Sequence, residues 1–161
     1  HSKYLAEQLC EFYADTFSVA CTIIRPFNVY GHGQSEEFLI PTILNQALHS
    51  PEIRVKNIWP RRDYLYIQDL IDILVLTLKK KDGFSIYNAG SGSSLSVSDV
   101  IGIIQKLCNK SKNIVSENTI RKSELAETIA VIAKLKRDFG WIPKYTFESG
   151  IADMLTARGM G

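Results

Sequence analysis

A polar amide, a histidine and two glycines follow a β-branched run near the start of the chain. Residues 19–24 (VACTII) are rich in β-branched side chains and are predicted to form a buried strand. Pro26 has no N–H to donate to a sheet, so we expect the strand to stop there. The loop that follows carries Asn28, Gly31, His32 and Gly33. Open α/β sheets bind ligands where a strand ends in such a loop, so this loop is the first candidate site.

Helical and extended segments alternate along the chain and must position this loop. Apolar residues recur every three or four positions in residues 2–17, which predicts an amphipathic helix packed on a sheet. Ser96 and Asp99 form a capping box that opens a helix ending at Leu107. Further helices are predicted at 38–47, 69–80 (with Asp69 as its N-cap), 133–139 and 147–157, and strands at 53–56, 64–67, 84–88 and 113–116. This alternation predicts an α/β fold with parallel strand pairing.

The composition is that of an ordinary globular domain, with 161 residues, 45% hydrophobic residues and a net charge of +2. The dense basic cluster at residues 79–81 ends a predicted helix and complements its dipole, so we expect no nucleic-acid partner. Cys10, Cys21 and Cys108 lack metal-ligand spacing and are predicted to be reduced thiols of a cytoplasmic protein without a metal site. Apolar runs are too short to span a bilayer, so we expect neither a membrane partner nor a signal peptide.

Short motifs occur in a fixed order along the chain. They are residues 25–31 (RPFNVYG) followed by Gln34, residues 62–69 (RDYLYIQD), residues 87–92 (YNAGSG), Arg121 with Glu124 three positions later, and residues 139–143 (FGWIP). In this order they resemble the motifs of the extended short-chain dehydrogenase/reductase family. That family comprises NAD(P)-dependent nucleotide-sugar epimerases, dehydratases and reductases. The resemblance covers essentially the whole chain.

The resemblance implies an α/β fold in which residues 1–161 are the C-terminal half of such a protein. They would form part of a Rossmann-like parallel-sheet domain and a small α/β substrate-binding domain. Residues 1–37 would hold the end of the catalytic helix, one sheet strand and the active-site loop. Residues 38–161 would form mainly the substrate-binding domain, with late Rossmann elements. The family binds NAD or NADP and a nucleotide-diphosphate sugar, and we expect a homodimer for the whole protein.

The start of the chain, residues 2–7, is similar to the end of the family's Tyr-x-x-x-Lys catalytic helix. On this alignment Lys3 is the active-site lysine, which grips the nicotinamide ribose and lowers the pKa of the catalytic tyrosine. A cation within about 4–6 Å lowers the pKa of a phenol by roughly 1–3 units, as a general base near neutral pH requires. The tyrosine would lie two residues before His1, and Pro26 and Phe27 would lie against the nicotinamide. Without the resemblance, Lys3 reads as an exposed lysine in a first helical turn.

Two polar side chains are assigned to the substrate by the resemblance. Asn28 would contact the sugar nucleotide, and its alternative is a turn former bonded to nearby backbone. Arg62 would hold the diphosphate, because a guanidinium can donate two hydrogen bonds to phosphate oxygens. The alternative for Arg62 is an ion pair with Asp63 or Asp69. Its neighbour Arg61 is expected to be solvated.

Further residues complete the predicted substrate site. Arg121 and Glu124 would hold the second phosphate and the ribose, and their alternative is a helical i,i+3 salt bridge. Leu39 would present the N–H of its helix start to a phosphate, and Val55 would flank the base. His32 stands where the family commonly has proline and is predicted to be an ordinary loop residue.

The activity implied by the resemblance is oxidation of a sugar carbon by hydride transfer to NAD(P)+. The keto-sugar intermediate would then be epimerised, dehydrated or reduced, and residues 1–161 would supply mainly nucleotide-sugar binding. The family's catalytic tyrosine and glycine-rich phosphate loop do not occur in the sequence, so we expect the 161-residue polypeptide alone to be inactive. The alternative function is a non-catalytic nucleotide-binding regulator on the same fold.

Overall fold

A computed structural model describes residues 1–80, 83–119 and 124–159 of the chain. The helices are α1 (Ser2–Phe17), α2 (Leu39–His49), α3 (Ile67–Thr77), α4 (Val97–Leu107), α5 (Ala133–Phe139) and α6 (Phe147–Thr156). The strands are β1 (Cys21–Pro26), β2 (Asn28–Tyr30), β3 (Glu52–Val55), β4 (Arg61–Arg62), β5 (Tyr64–Tyr66), β6 (Phe84–Ala89), β7 (Leu95–Ser96), β8 (Asn113–Ser116) and β9 (Glu127–Thr128). The predicted alternation of helices and strands is confirmed.

Most strands pair in parallel, as predicted. β1 pairs with β6, β2 with β5, β3 with β8 and β4 with β9, all in parallel, whereas β4 and β7 are antiparallel. Parallel pairing brings the carboxyl ends of β1 and β6 to one edge, with Pro26 opposite Ala89. The polar segments that follow both strands therefore lie side by side.

The prediction of a loop directly after β1 is partly wrong. Strand β1 begins at Cys21 rather than residue 19, and its side chains are half-buried or exposed because only β6 pairs with it in the described part of the chain. After Phe27 the chain resumes as β2, in which Asn28 lies opposite Tyr64. The predicted loop therefore begins only after Tyr30.

Helix α1 has the predicted bounds, but its aromatic stripe does not pack on the sheet. The helix contacts β1 and β6, and Ala14 is its buried residue. The predicted apolar stripe is exposed at Tyr4, Leu5, Leu9, Phe12, Tyr13 and Phe17. The side of the helix that carries Glu7, Cys10 and Ala14 is the less exposed one. On this side, Arg25 of β1 donates from Nε to Glu7 Oε1 at 2.8 Å.

The apolar core has two clusters. The larger lies among α2, α4 and α6 and the strands β2, β3 and β5, with Ile43, Leu44, Ile101, Ile104 and Ile151 fully buried. The smaller joins α3, α5 and β6 through Leu65, Ile73, Tyr87, Leu135 and Trp141. Strand β5 contributes to both clusters, because alternate side chains of a strand point to opposite faces. Strand β5, which begins two residues after Arg62, thus lies between the two clusters.

Local signals set several helix boundaries. Ser96 accepts a hydrogen bond from Asp99 N–H and Asp99 accepts one from Ser96 N–H, so the predicted capping box is confirmed. Helix α5 ends at Gly140, whose φ of 64° suits glycine. The predicted N-cap role of Asp69 is wrong: α3 begins at Ile67, and the Asp69 carboxylate instead accepts hydrogen bonds from the backbone of Lys144 and Tyr145. The helix ends at Thr77, three residues before the predicted end at residue 80.

Candidate functional site

A cleft of about 430 Å³ lies between the start of α2, the end of β3 and the strand β4. This volume is in the range of small-molecule sites. Its lining residues are Glu37, Leu39, Thr42, Arg54, Val55, Lys56, Asn57, Pro60, Arg62, Tyr64, Val97, Thr119 and Glu124. Four residues predicted to bind substrate (Leu39, Val55, Arg62 and Glu124) therefore meet here from separate parts of the sequence. We call this cavity the Arg62 cleft.

Arg62 is held in a defined orientation at the wall of the Arg62 cleft. Its Nη1 donates hydrogen bonds to the carbonyl oxygens of Arg61 and Leu125, each at 2.8 Å. Its Nη2 lies 3.7 Å from Glu124 Oε1, and its side chain is 22% exposed. The alternative ion pair with Asp63 or Asp69 does not form, because both carboxylates accept backbone N–H groups instead. A fixed, half-buried guanidinium is suited to binding an anion.

The start of α2 and the end of β3 provide other chemistry. Leu39 is the first residue of α2, where helices leave N–H groups without intrahelical partners. Val55 is a buried apolar residue at the end of β3. Glu124 is the only one of the predicted Arg121 and Glu124 pair whose position is known, since Arg121 lies outside the described residues. The cleft thus combines the cation of Arg62, the N-terminal end of α2, the apolar side chain of Val55 and the carboxylate of Glu124.

Tyr64 is a cleft residue that sequence reasoning missed. It is 8% exposed, and its hydroxyl has no hydrogen-bond partner among the described residues. Burial raises the pKa of Tyr64 to about 12, although the nearby positive charge of Arg62 opposes this shift. The hydroxyl therefore stays protonated near neutral pH and can donate a hydrogen bond. The sequence signal that could have identified Tyr64 is its position in the motif of residues 62–69, directly after Arg62 and Asp63.

Arg61 is not the solvated neighbour that the sequence suggested. Its guanidinium donates to Ser94 Oγ, to Ser94 O and to the carboxylates of Asp99 and Glu127, at 2.8–3.1 Å. These contacts join β4 to the start of α4 and to β9. Adjacent arginines thus have different surroundings: Arg61 is occupied by acids, and Arg62 faces the cleft.

The carboxylates around Arg61 predict acid sensitivity. Hydrogen bonds from Ser96, and then the charge of Arg61, lower the pKa of Asp99; a hydrogen bond from Ser94, and then Arg61, lowers the pKa of Glu127. A carboxyl pKa that is lower in the folded state adds stability above the unfolded values of roughly 3.9–4.3, and that stability is lost as pH falls through the folded pKa.

We therefore expect the urea midpoint to be nearly constant from about pH 6 to pH 5 and to fall steadily below about pH 4. Asp99→Asn removes one titrating carboxyl, so the variant should lose less stability over the acidic range than the unchanged chain. An unfolding midpoint that rises on acidification would contradict this assignment.

The residues predicted to contact the cofactor lie apart from the Arg62 cleft. Pro26 is exposed and Phe27 is half-buried, with Phe27 N–H donating to Ala89 O at 2.9 Å. Lys3 is exposed in the first turn of α1. Asn28 connects the two regions, because its Nδ2 donates to the carbonyl oxygen of Asp63 at 2.9 Å, one residue from Arg62. None of these residues lines the described wall of the cleft.

The turn after β2 is tied to α6. His32 Nε2 lies 3.1 Å from Asp153 Oδ2, and the Tyr66 hydroxyl donates to the same oxygen. These hydrogen bonds, first that of Tyr66, lower the pKa of Asp153. His32 is thus a residue of the turn, as predicted, with a partner on a distant helix.

A second cleft of similar size lies beyond Tyr64, between residues 91–95 and the start of α6. Its volume is about 400 Å³, and Tyr64, Ser91, Ser93, Lys144 and Glu148 are among its lining residues. None of the predicted substrate residues that the structure describes lines it. We call it the α6 cleft.

Across residues 1–80, 83–119 and 124–159, no helix has both the length and the apolar character of a membrane span.

Solved structures of nucleotide-sugar enzymes share this fold. The UDP-glucose 4-epimerase of Thermotoga maritima, crystallised with UDP-glucose, superposes with a TM-score of 0.89 at 25% identity, over 98% of this chain and 52% of that one. The structure of RMD from Pseudomonas aeruginosa complexed with NADPH gives a TM-score of 0.88 at 26% identity, over 96% and 54% of the two chains. The fold is therefore that of the NAD-dependent epimerase/dehydratase class.

The chain belongs to the GDP-mannose 4,6 dehydratase family, whose model matches residues 1–154. The GDP-6-deoxy-D-mannose reductase of Pseudomonas aeruginosa is 26% identical over 162 residues, which cover 96% of this chain and 53% of the reductase. The chain thus spans about half the length of the relatives it matches. The family resemblance and the α/β fold are confirmed, while the boundary at residue 37 and the roles of the site residues stay predictions.

Proposed function

We propose that this chain supplies the nucleotide-binding part of an NAD(P)-dependent nucleotide-sugar epimerase, dehydratase or reductase. The observation that carries the proposal is the Arg62 cleft, in which Leu39, Val55, Arg62 and Glu124 line one cavity. The resemblance assigned these residues to one ligand before their positions were known. The family's named reductases, dehydratases and epimerases support the same class of reaction.

Each part of a nucleoside diphosphate has a matching group in the Arg62 cleft. The Nε and Nη2 groups of Arg62 donate no hydrogen bond among the described residues, although Nη2 lies 3.7 Å from Glu124 Oε1, and they suit the diphosphate. The N–H of Leu39 at the start of α2 can add a further donor. The apolar side chain of Val55 suits the face of a base, and the Glu124 carboxylate can accept from ribose hydroxyls. Arg121 would add a second cation.

The cofactor side has residues that fit NAD or NADP. The exposed Pro26 and half-buried Phe27 stand at the carboxyl end of β1, where parallel sheets bind ligands, and they would lie against the nicotinamide. Lys3, on the helix that packs on β1 and β6, would hold the nicotinamide ribose. The bound cofactor would accept a hydride from a sugar carbon. Asn28, next to Phe27 and bonded to Asp63, would hold the sugar nucleotide between the two regions.

We also propose a homodimeric, cytoplasmic protein. The exposed aromatic stripe of α1 supports self-association, because apolar patches of this kind mark interaction surfaces. Cys10, Cys21 and Cys108 are free thiols, which is typical of a reducing compartment.

Isothermal titration calorimetry tests the proposal with UDP, GDP, CDP and dTDP added to the 161-residue chain. We expect at least one nucleotide to bind with a Kd below about 1 mM, and its unphosphorylated nucleoside to bind at least about tenfold more weakly because it lacks the group that Arg62 holds. Equal affinities for nucleotide and nucleoside, or no binding of any nucleotide at millimolar concentration, would refute the proposed site.

A further inference from the structure

Asp63 is a fully buried carboxylate next to Arg62. Its side chain is 0% exposed, and its oxygens accept hydrogen bonds from the backbone N–H groups of Ser91 (2.7 Å), Gly92 (2.9 Å) and Ala130 (3.0 Å). Successive N–H groups that converge on one anion form a concave binding site for it. The negative charge is therefore balanced by backbone dipoles, and removing it would leave buried donors without partners.

The backbone of Asp63 adds contacts in other directions. Its carbonyl oxygen accepts from both the backbone N–H (3.2 Å) and the side-chain Nδ2 (2.9 Å) of Asn28, and its N–H donates to Thr128 O at 3.0 Å. One residue thus joins the start of β2, the turn after β6 and the segment after β9. These segments surround the boundary between the proposed cofactor side and the Arg62 cleft.

The turn held by Asp63 has no spare room. A Cβ placed on Gly90 would lie 2.3 Å from Ala130 Cβ and 2.7 Å from Asp63 Oδ2. Such distances are far inside van der Waals contact, so the turn, Ala130 and the carboxylate form one tightly packed unit. A movement of the turn must therefore be transmitted to Asp63 and its neighbours.

We infer that Asp63 is a positioning residue that fixes Arg62 and Asn28 relative to each other. Its backbone follows Arg62 directly and is hydrogen-bonded to Asn28, and its carboxylate anchors this backbone to the turn after β6. The carboxylate does not itself contact the ligand, and it acts by holding the two side chains that would bind the nucleotide sugar. The inference rests on the proposed function for its consequence in binding, but the anchoring itself can be measured without a ligand.

The first test compares Asp63→Asn with Asp69→Asn. Asp69 is the matched control: it is also buried and its carboxylate also accepts backbone N–H groups, two against the three of Asp63. Its partners, Lys144 and Tyr145, lie before α6 rather than in the turn after β6. Both variants should lower the urea midpoint. At conditions where each variant is folded, with trimethylamine N-oxide added if needed, Asp63→Asn should weaken nucleotide affinity about tenfold or more and Asp69→Asn less than about twofold. Equal affinities for Asp63→Asn and the unchanged chain, or equal weakening in both variants, would overturn the inference.

A second measurement needs no substitution. Binding and positioning are reciprocal, so a saturating nucleotide should slow hydrogen exchange at the N–H groups of Ser91, Gly92 and Ala130 several-fold. The N–H groups of Lys144 and Tyr145, which Asp69 holds, should not change. Unchanged exchange at all five positions, with nucleotide bound, would overturn the inference even if Asp63→Asn did not fold.

If the unchanged chain binds no nucleotide, the proposed function fails on its own. The positioning role is then decided by NMR: the Asn28 Nδ2 and Arg62 Nε signals should shift in Asp63→Asn and stay in place in Asp69→Asn. Unshifted signals in Asp63→Asn would overturn it.

Discussion

An Arg62→Ala variant is expected to bind nucleoside diphosphates at least about 100-fold more weakly than the unchanged chain. Hydrogen bonds to charged groups contribute roughly 1.5–3 kcal/mol each, and Nε and Nη2 of Arg62 can form two of them with a diphosphate. Two such bonds at the lower limit correspond to about 3 kcal/mol, or roughly two decades in Kd. Arg62→Lys keeps the charge but loses the forked geometry, so its affinity should lie between the two. Calorimetry under the same salt conditions measures all three affinities.

Arg61→Ala is the matched control for this substitution. Arg61 is adjacent in sequence and carries the same charge, but its donors are engaged by Ser94, Asp99 and Glu127. The variant should unfold at a lower urea concentration and retain the nucleotide affinity of the unchanged chain within about threefold, a difference of about 0.65 kcal/mol. A strong loss of affinity in Arg61→Ala with little change in Arg62→Ala would place the phosphate site elsewhere.

A Gly150→Ala variant is expected to be less stable by about 1–2 kcal/mol. A Cβ at this position of α6 would lie 2.2 Å from the Tyr30 hydroxyl oxygen and 2.9 Å from Tyr66 Cδ2. Tyr30 is almost fully buried and its ring packs on Tyr66 and Phe147, so it has little room to move. Inserting a methyl group into such a core typically costs about 1–3 kcal/mol, more than the gain in helix propensity. Urea unfolding followed by circular dichroism measures the loss.

Gly102→Ala provides the opposite expectation in the same assay. Gly102 is an exposed glycine within α4, and a Cβ there would meet no atom within 4 Å. Alanine should therefore stabilise the fold by about 0.5–1 kcal/mol. If both variants shift the midpoint in the same direction, the packing of α6 against Tyr30 is not as described.

Local sequence signals predicted the helix boundaries well where they were self-contained. The bounds of α5 were predicted at residues 133–139 because Gly140 ends the helix by its own conformational freedom. The capping box of Ser96 and Asp99 needs only residues three positions apart. By contrast, β2 was missed because its pairing with β5 depends on residues 36 positions away. Asp69 had the residue type of an N-cap, yet its partners lie 75 positions later in the chain.

In the candidate site, too, local sequence patterns predicted some features, whereas others depend on contacts between distant residues. The resemblance assigned Leu39, Val55, Arg62 and Glu124 to one substrate, but it could not show that Arg61 is engaged by acids while Arg62 faces the cavity. The positions of Tyr64 and Asp63 depend on burial, which their short motif does not encode. Residue type therefore identified the chemistry, and tertiary packing decided which of two neighbouring, chemically equal side chains can perform it.

The location of bound nucleotide is the most direct test of the proposed site, because the described part of the chain has another cleft of similar volume, the α6 cleft. Heteronuclear NMR of the 161-residue chain, titrated with the nucleoside diphosphate that binds in calorimetry, can distinguish them. We expect the largest shifts at the Leu39 and Val55 N–H groups and at Arg62 Nε, with small changes at Ser93, Lys144 and Glu148 of the α6 cleft. Shifts concentrated in the α6 cleft, with the Arg62 Nε signal unmoved at saturation, would contradict the proposed site.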